Sequence, residues 1–449
     1  MTRRTWVRLD NASNIFLAAR SETDSKVFRL SAEMDHQVDP HVLQRALDVT
    51  YDRYRLYHAV LRRAVFWYYL QDSDLRPVVS ADDKPTCAPI YNADRRGLLF
   101  RVVYHHQRIV LEVFHALSDG TGALWFLTDL VTEYIRIRYD QQPLPEDTTT
   151  AQLTAQPGQQ PERAPARELA VDSFAHYFRR RRKIHSPNEA AAAQPKRPVT
   201  SKVYRVTGTR TPDYRTRAVE LTMDVREVLA LARAEGISLT MYLTAVFFES
   251  IRRSSGGLGA SRTLSASVPV NLRQFFPSVS PRNFFTTVRV EHTYGYGPDD
   301  MGTVGRQLDR QFRPKATPEA LEKKLRRFIK FERMPLLRIV PRPAKDAILR
   351  VINWGNNRGL SVAVSNLGRV SLPERVDAHI GRMAFHVSAV RPQMSVISHA
   401  EHITVTFTSP FVETDHIREF ARLLTDHDVA VTVAAAPVTE AELAAKEQS

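Results

Sequence analysis

A single cysteine, Cys87, stands among 449 residues. One thiol closes no intramolecular bridge, so a disulfide-stapled scaffold is excluded and a reducing, cytoplasmic setting is expected. No stretch approaches the ~20 apolar residues that a membrane-spanning helix needs, and no transmembrane segment is expected. The opening Met1-Thr2-Arg3-Arg4-Thr5-Trp6 has basic residues with no apolar run behind them, which argues against a secretory signal. Glycine is sparse, at 17 residues, and supplies no phosphate loop. Gly256-Gly257 is not followed by Gly-Lys-Ser/Thr and reads as a helix stop. There is no Gly-x-Ser-x-Gly elbow to carry a serine nucleophile. Zinc-finger spacing and the aromatic-basic consensus of an RNA-binding sheet are also missing, so nucleic acid is not an expected partner.

What remains is ordinary globular material, 43% hydrophobic and 25% charged, with a net charge of +14. The basic residues are scattered over the whole chain. Their one dense run, Arg179 to Lys183, reads as a solvated helix end. The length exceeds what one hydrophobic core holds, about 250–300 residues, and composition divides it. Residues 1–140 and 201–449 are periodic and apolar. Between them, 141–200 is rich in Pro, Gln, Ala, Thr and Arg and reads as a partly disordered crossover, with a short helix expected within Glu168 to Lys183. A monomer with two folded halves is expected.

Both halves read as α/β. In the first, a strand at Lys26 to Leu30 precedes a helix that opens on Asp39-Pro40, a good cap followed by a proline suited to the first turn. In the second, a strand near Arg217 to Leu221 leads through Asp224 into one helix. A second helix follows from Ser238 to Arg253. A further echo is more informative. The alternating strand Ile109–Phe114, a loop and a helix from Ala123 to Tyr139 match the strand Ile403–Thr408, a loop and a helix from about Asp415 to Leu424. At the loop the first copy has His115 where the second has Ser409, so the halves share architecture while one carries chemistry.

His115 stands at the carboxyl end of its strand, before the tight loop Ala116 to Gly122. Open α/β sheets place ligands at such ends, and an imidazole there exchanges a proton near neutral pH. Asp119, four residues on, caps the helix or pairs with a cation. Gly120 is expected to adopt a backbone angle closed to other residues. Other histidines read as structural. His399 and His402 are placed at the start of a strand, on opposite faces, which argues against a metal site. His105-His106 reads as a solvated turn, and His386 as a packed strand residue.

The pattern His115-x-x-x-Asp119-Gly120 resembles the signature of the chloramphenicol acetyltransferase-like superfamily, which includes plant acyltransferases, peptide-synthetase condensation domains, mycobacterial polyketide-associated acyltransferases and alcohol acetyltransferases. Two more segments carry the resemblance. Ser267-Val-Pro-Val-Asn-Leu-Arg273 with Asn283-Phe284-Phe285 resembles the arginine-bearing strand and the asparagine-aromatic segment after it. Val362-Ala-Val-Ser365-Asn366-Leu367-Gly368 resembles the Ser-Asn-Leu-Gly strand of the alcohol acetyltransferase-like branch. The resemblance spans about residues 1–430. It implies two similar halves, each a mixed sheet with flanking helices, and an active site in the cleft between them.

It also implies roles. His115 is the general base, Asp119 pairs with Arg273 instead of touching substrate, Gly120 completes the turn, and Ser365 or Asn366 faces His115 across the cleft as a candidate oxyanion donor. No tightly bound cofactor and no metal are implied. Acyl-CoA serves as cosubstrate, with a small molecule or lipid bearing a hydroxyl or amine as acceptor. Condensation domains usually carry two adjacent histidines, and Phe114 holds the first place here. The Asp-Phe-Gly-Trp-Gly segment of the plant branch is missing as well. Both departures favour the bacterial alcohol acetyltransferase-like branch. The alternatives are a free-standing condensation-type enzyme fed by an acyl carrier protein and a non-catalytic binding protein of the same fold. Retention of His115, Asp119 and Arg273 together argues against the second.

Overall fold

The computed structural model describes residues 6–435 apart from 10, 22, 66, 140–172, 179–201, 213–214 and 333–341. The expected disorder of the crossover lies outside the described residues. Its helix is described only as Ser173–Phe178.

Local signals place the helices. Pro40–Arg53 is capped by Asp39, whose carboxylate accepts from the main-chain N–H groups of His41 and Val42 at 2.8 and 3.2 Å. Asp224 caps Val225–Ala234 in the same way, accepting from Arg226 and Glu227. Each cap satisfies orphan N–H groups of the first turn. The strand–loop–helix echo is present in both copies: Arg108–Phe114 leads to Gly120–Arg138, and His402–Ser409 leads to Asp415–Thr425.

The strands form two large mixed sheets and a small one. The first sheet has five strands in the order Ile380–Val387, Val27–Met34, Arg108–Phe114, Phe100–His105, Ser80–Ala81. The second has seven, in the order Phe285–Thr293, Thr263–Asn271, Val362–Val370, Gln393–His399, His402–Ser409, Arg217–Asp224, Thr432–Ala435. Long helices cover the sheets. Leu43, Leu47, Phe126, Leu127 and Leu130 lie in the core of the first half, and Tyr242, Val246, Phe247 and Phe420 in that of the second. Among the described residues no helix is long and apolar enough to cross a membrane, and no group of histidine, cysteine and acidic residues is arranged to hold a metal ion.

One strand crosses between the halves. Ile380–Val387, from late in the chain, pairs antiparallel with Val27–Met34 and completes the first sheet. It also packs beside Gln393–His399 and His402–Ser409 of the second sheet. Residues 201–449 therefore do not stay within one sheet. The seam carries a buried polar link: Glu220 of the second sheet accepts from Arg108 at 2.7 and 2.9 Å and lies 3.2 Å from His386. Burial alone would raise the Glu220 carboxyl, but hydrogen bonds from His386 and Arg108 outweigh it and hold the group well below its ordinary value.

His399 and His402 differ from the expectation. They close the hairpin between Gln393–His399 and His402–Ser409 and face each other in register, with His399 buried and His402 exposed. Ala400, with φ 50°, makes the turn. Two histidines three apart straddle a hairpin when the intervening pair forms the turn, and periodicity within one strand does not see that.

Candidate active site

The strand Arg108–Phe114 ends one residue before His115, whose main-chain N–H donates to the carbonyl of Lys26 at 2.8 Å. That bond fixes the backbone where the strand gives way to the loop. The imidazole is held between aromatic rings. Phe16, from the helix Asn11–Ala19, stacks on it at 3.9 Å, Phe28 meets it edge-on at 5.0 Å, and Phe285 lies 5.7 Å away. Nδ1 is buried against the protein. The residue itself lines the cavity. Asn283 donates to the carbonyl of His115 at 2.8 Å and to Ser13 at 3.0 Å, so one amide ties the loop to the N-terminal helix.

Burial lowers the pKa of His115 from 6.5 to about 4. Its own carbonyl, Asp119 and Asn283 favour the protonated ring and are outweighed, while Lys26 adds to the depression. At neutral pH the imidazole is therefore uncharged and free to accept a proton.

Asp119 does two things with one carboxylate. One oxygen caps the helix Gly120–Arg138 by accepting from Gly122 N–H at 2.8 Å. The other accepts from Arg273 at 2.7 Å and from Phe284 N–H at 2.8 Å. Arg273 is tied down further by the carbonyls of Ser280 and Arg282 at 2.8 and 2.6 Å, and its guanidinium lies 5.1 Å from the Trp125 ring. Both side chains are only 6% exposed. The strand expected to bear Arg273 ends at Asn271, and the arginine sits in the single helical turn Leu272–Gln274 that follows. Asn271 produces that turn by accepting from Arg273 N–H at 3.0 Å.

Gly120 differs from expectation. Its φ is not positive. Its need is for space, because a Cβ there would lie 2.8 Å from Leu367 Cδ2. Gly122 is more constrained: a Cβ would run into the Pro281 carbonyl and Ser118 Oγ. The two glycines let the start of the helix lie flat against two segments of the second half.

A cavity of ≈ 290 Å³ opens at His115, lined on one side by Lys26, just before the strand Val27–Met34, and by Phe385 and Val387 of the first sheet, and on the other by Ser267, Asn271 and Ser365 of the second. Asn366 lines it too, but its amide is committed, donating to Thr240 at 2.9 Å and accepting from Gly368 N–H at 2.7 Å. Gly368, with φ 80°, lies within the register shift between Asn366 and Arg369. Ser365 has no such commitment among the described residues. His115, Asp119, Gly120, Ser365 and Asn366 thus border one cavity, with Arg273 behind Asp119.

Phe16, Lys26 and the tie made by Asn283 escaped the sequence reading. Asn283 had a signal, in its place before Phe284-Phe285. Phe16 had none, because it meets His115 only when a separate helix docks.

No family model matches the sequence, and no curated protein matches it. Solved structures do match in fold. Polyketide synthase associated protein 5 from Mycobacterium tuberculosis superposes with a TM-score of 0.57 at 14% identity, over 93% of this chain and 96% of that one. TRI101 of F. graminearum, complexed with coenzyme A and deoxynivalenol, gives 0.60 at 10% identity over 95% and 99%. The starter condensation domain of rhizomide synthetase, as a mutant in complex with C8-CoA, gives 0.57 at 14% identity over 94% of each chain. With these superpositions covering more than nine tenths of the chain, its fold is the one that these solved structures share, a starter condensation domain among them.

Proposed function

We propose that the protein transfers an acyl group from coenzyme A to an alcohol or amine, in one step, with His115 as general base. The observation that carries this reading is an imidazole at a strand end, clamped by aromatic rings and lining a cavity between two sheets. Nε2 takes the proton of the acceptor as its oxygen or nitrogen attacks the thioester carbonyl. The new C–O or C–N bond forms and the C–S bond breaks. The proton passes from His115 to the departing sulfur, and the free thiol leaves. No enzyme nucleophile takes part. Cys87 is buried, its thiol pushed well up by burial, and it does not line the cavity.

Asp119 and Arg273 act from behind, setting the loop that presents His115. Ser365, whose hydroxyl is uncommitted, is the better candidate for the oxyanion, and Asn366 holds the bulge beside it. Neighbours in fold support acyl transfer, a trichothecene 15-O-acetyltransferase and a starter condensation domain in complex with C8-CoA among them. Phe114, in place of a first histidine, favours acyl-CoA over a carrier-bound thioester as donor.

Thiol release by the purified protein, with acetyl-CoA and octanoyl-CoA against a panel of alcohols and amines, tests the reading. His115→Ala should lower turnover by ~10²–10⁴-fold while the protein still unfolds in a cooperative transition. A variant that keeps more than about a tenth of wild-type turnover contradicts a role for His115 as general base.

A further inference from the structure

The charges around the cavity do not balance. Two carboxylates line it, Asp24 and Asp119, and both are committed. Asp119 is taken by Arg273. Asp24, itself buried, pairs with Lys26 and accepts from Ser388 Oγ at 2.9 Å. That leaves Arg391, a half-buried cation in the bend between Ile380–Val387 and Gln393–His399. Among the described residues no hydrogen-bond or ion-pair partner stands at its guanidinium. Burial, its largest influence, and the exposed Arg205 both press it toward losing its charge, with Asp24 opposing from a distance. A desolvated guanidinium is a poor neighbour for an apolar substrate and a strong fork for a carboxylate.

We propose that Arg391 is a specificity-determining residue, an anion subsite that receives a carboxylate carried by the part of the substrate lying inside the cavity. This rests on the acyl-transfer reading for its catalytic consequence but not for its binding. The phosphates of coenzyme A do not fit the role, because a long neutral pantetheine arm separates them from the thioester that must reach His115. Arg391 lines the same ≈ 290 Å³ cavity as His115, and Asp24, whose charge it feels, stands two residues before Lys26, whose carbonyl accepts from His115 N–H. The carboxylate belongs either to the acceptor, as in a hydroxy acid, or to the acyl group, as in a dicarboxylic acyl-CoA.

Two measurements test this. The first is binding without turnover, read as thermal stabilisation by sodium benzoate and by disodium succinate, with benzamide and succinamide as neutral counterparts. The wild type and His115→Ala should be stabilised by the anions over the amides. Arg391→Gln should lose that preference, with at least a tenfold weaker apparent affinity, and Arg391→Lys should regain part of it. The second is the ratio of kcat/KM for paired substrates. With acetyl-CoA, 3-hydroxybenzoate is compared with its methyl ester. With a fixed neutral alcohol, succinyl-CoA is compared with butyryl-CoA. The arm whose anionic member wins identifies the carrier, and its ratio should fall at least tenfold toward one in Arg391→Gln. An anion preference that persists in Arg391→Gln, or none in the wild type in the binding measurement, overturns the subsite. Anion binding at Arg391 without thiol release from any pair retains the subsite and overturns the acyl-transfer reading instead.

Discussion

Asp119→Asn separates a structural carboxylate from a chemical one. In the wild type Asp119 accepts three hydrogen bonds, from Gly122 N–H, Phe284 N–H and Arg273. Asparagine keeps one carbonyl oxygen, enough to cap Gly122. Its NH₂ then points at two donors, the Phe284 N–H and the Arg273 guanidinium. Arg273 retains the Ser280 and Arg282 carbonyls but loses the one counter-charge it has among the described residues, at a site where both partners are 6% exposed. Breaking one side of such a buried pair costs about 3–5 kcal/mol. At roughly 2–4 °C per kcal/mol for a domain of this size, the melting transition should fall by about 6–20 °C. Activity should fall with it, because the loop that presents His115 loses its anchor, and a small displacement of a catalytic group costs on the order of 10²-fold. Calorimetry and thiol release on the same preparation read both effects. Adding Arg273→Gln should cost less than the sum of the two single changes, since the second removes the stranded cation. Loss of activity with an unchanged melting curve, or strict additivity in the double variant, would refute the pairing argument.

Four further outcomes follow from the geometry. The base form of His115 should persist to low pH, so the acid limb of kcat/KM should lie near about 4 rather than near the ordinary 6.5; a limb near 6.5 contradicts the burial argument. The sign for stability is the same, because the unfolded ring takes its proton first: the His115 contribution is full above 6.5 and is lost as the pH falls toward about 4, which acid titration of the melting curve reads. Gly122→Ala should destabilise by about 1–3 kcal/mol, as overpacking against rigid backbone does, and more than Gly120→Ala, whose Cβ meets the movable end of Leu367; equal melting curves for the two would contradict this. A protease site engineered near residue 160 should yield two fragments that copurify under native conditions, because Ile380–Val387 is a strand of the first sheet; separation of the fragments would contradict that coupling.

The amino-acid sequence by itself determined the elements and the chemical residue types. Asp39 and Asp224 announced helix starts because capping is a local hydrogen-bond problem, solved within three residues. The alternation of Ile109–Phe114 and Ile403–Thr408 announced strands because burial on one face has a period of two. His115, Asp119 and Arg273 were legible as a motif, and in the folded chain Arg273 lies 2.7 Å from Asp119.

Only the tertiary structure decided what surrounds them. Phe16, Phe28 and Phe285 reach His115 from three separate elements, and their packing on the ring depends on docking that no window of sequence records. The need for glycine at 120 and 122 is imposed by Leu367 and Pro281, from distant segments, and not by backbone angle. The strand Ile380–Val387 crosses to the first sheet because its partners, Val27–Met34, lie more than three hundred residues earlier in the chain. The charge left over at Arg391 became visible only when Lys26 and Arg273 were seen to have taken the two acids of the cavity. Local propensity acts through neighbours in the chain, whereas burial, ion pairing and pKa are set by neighbours in space.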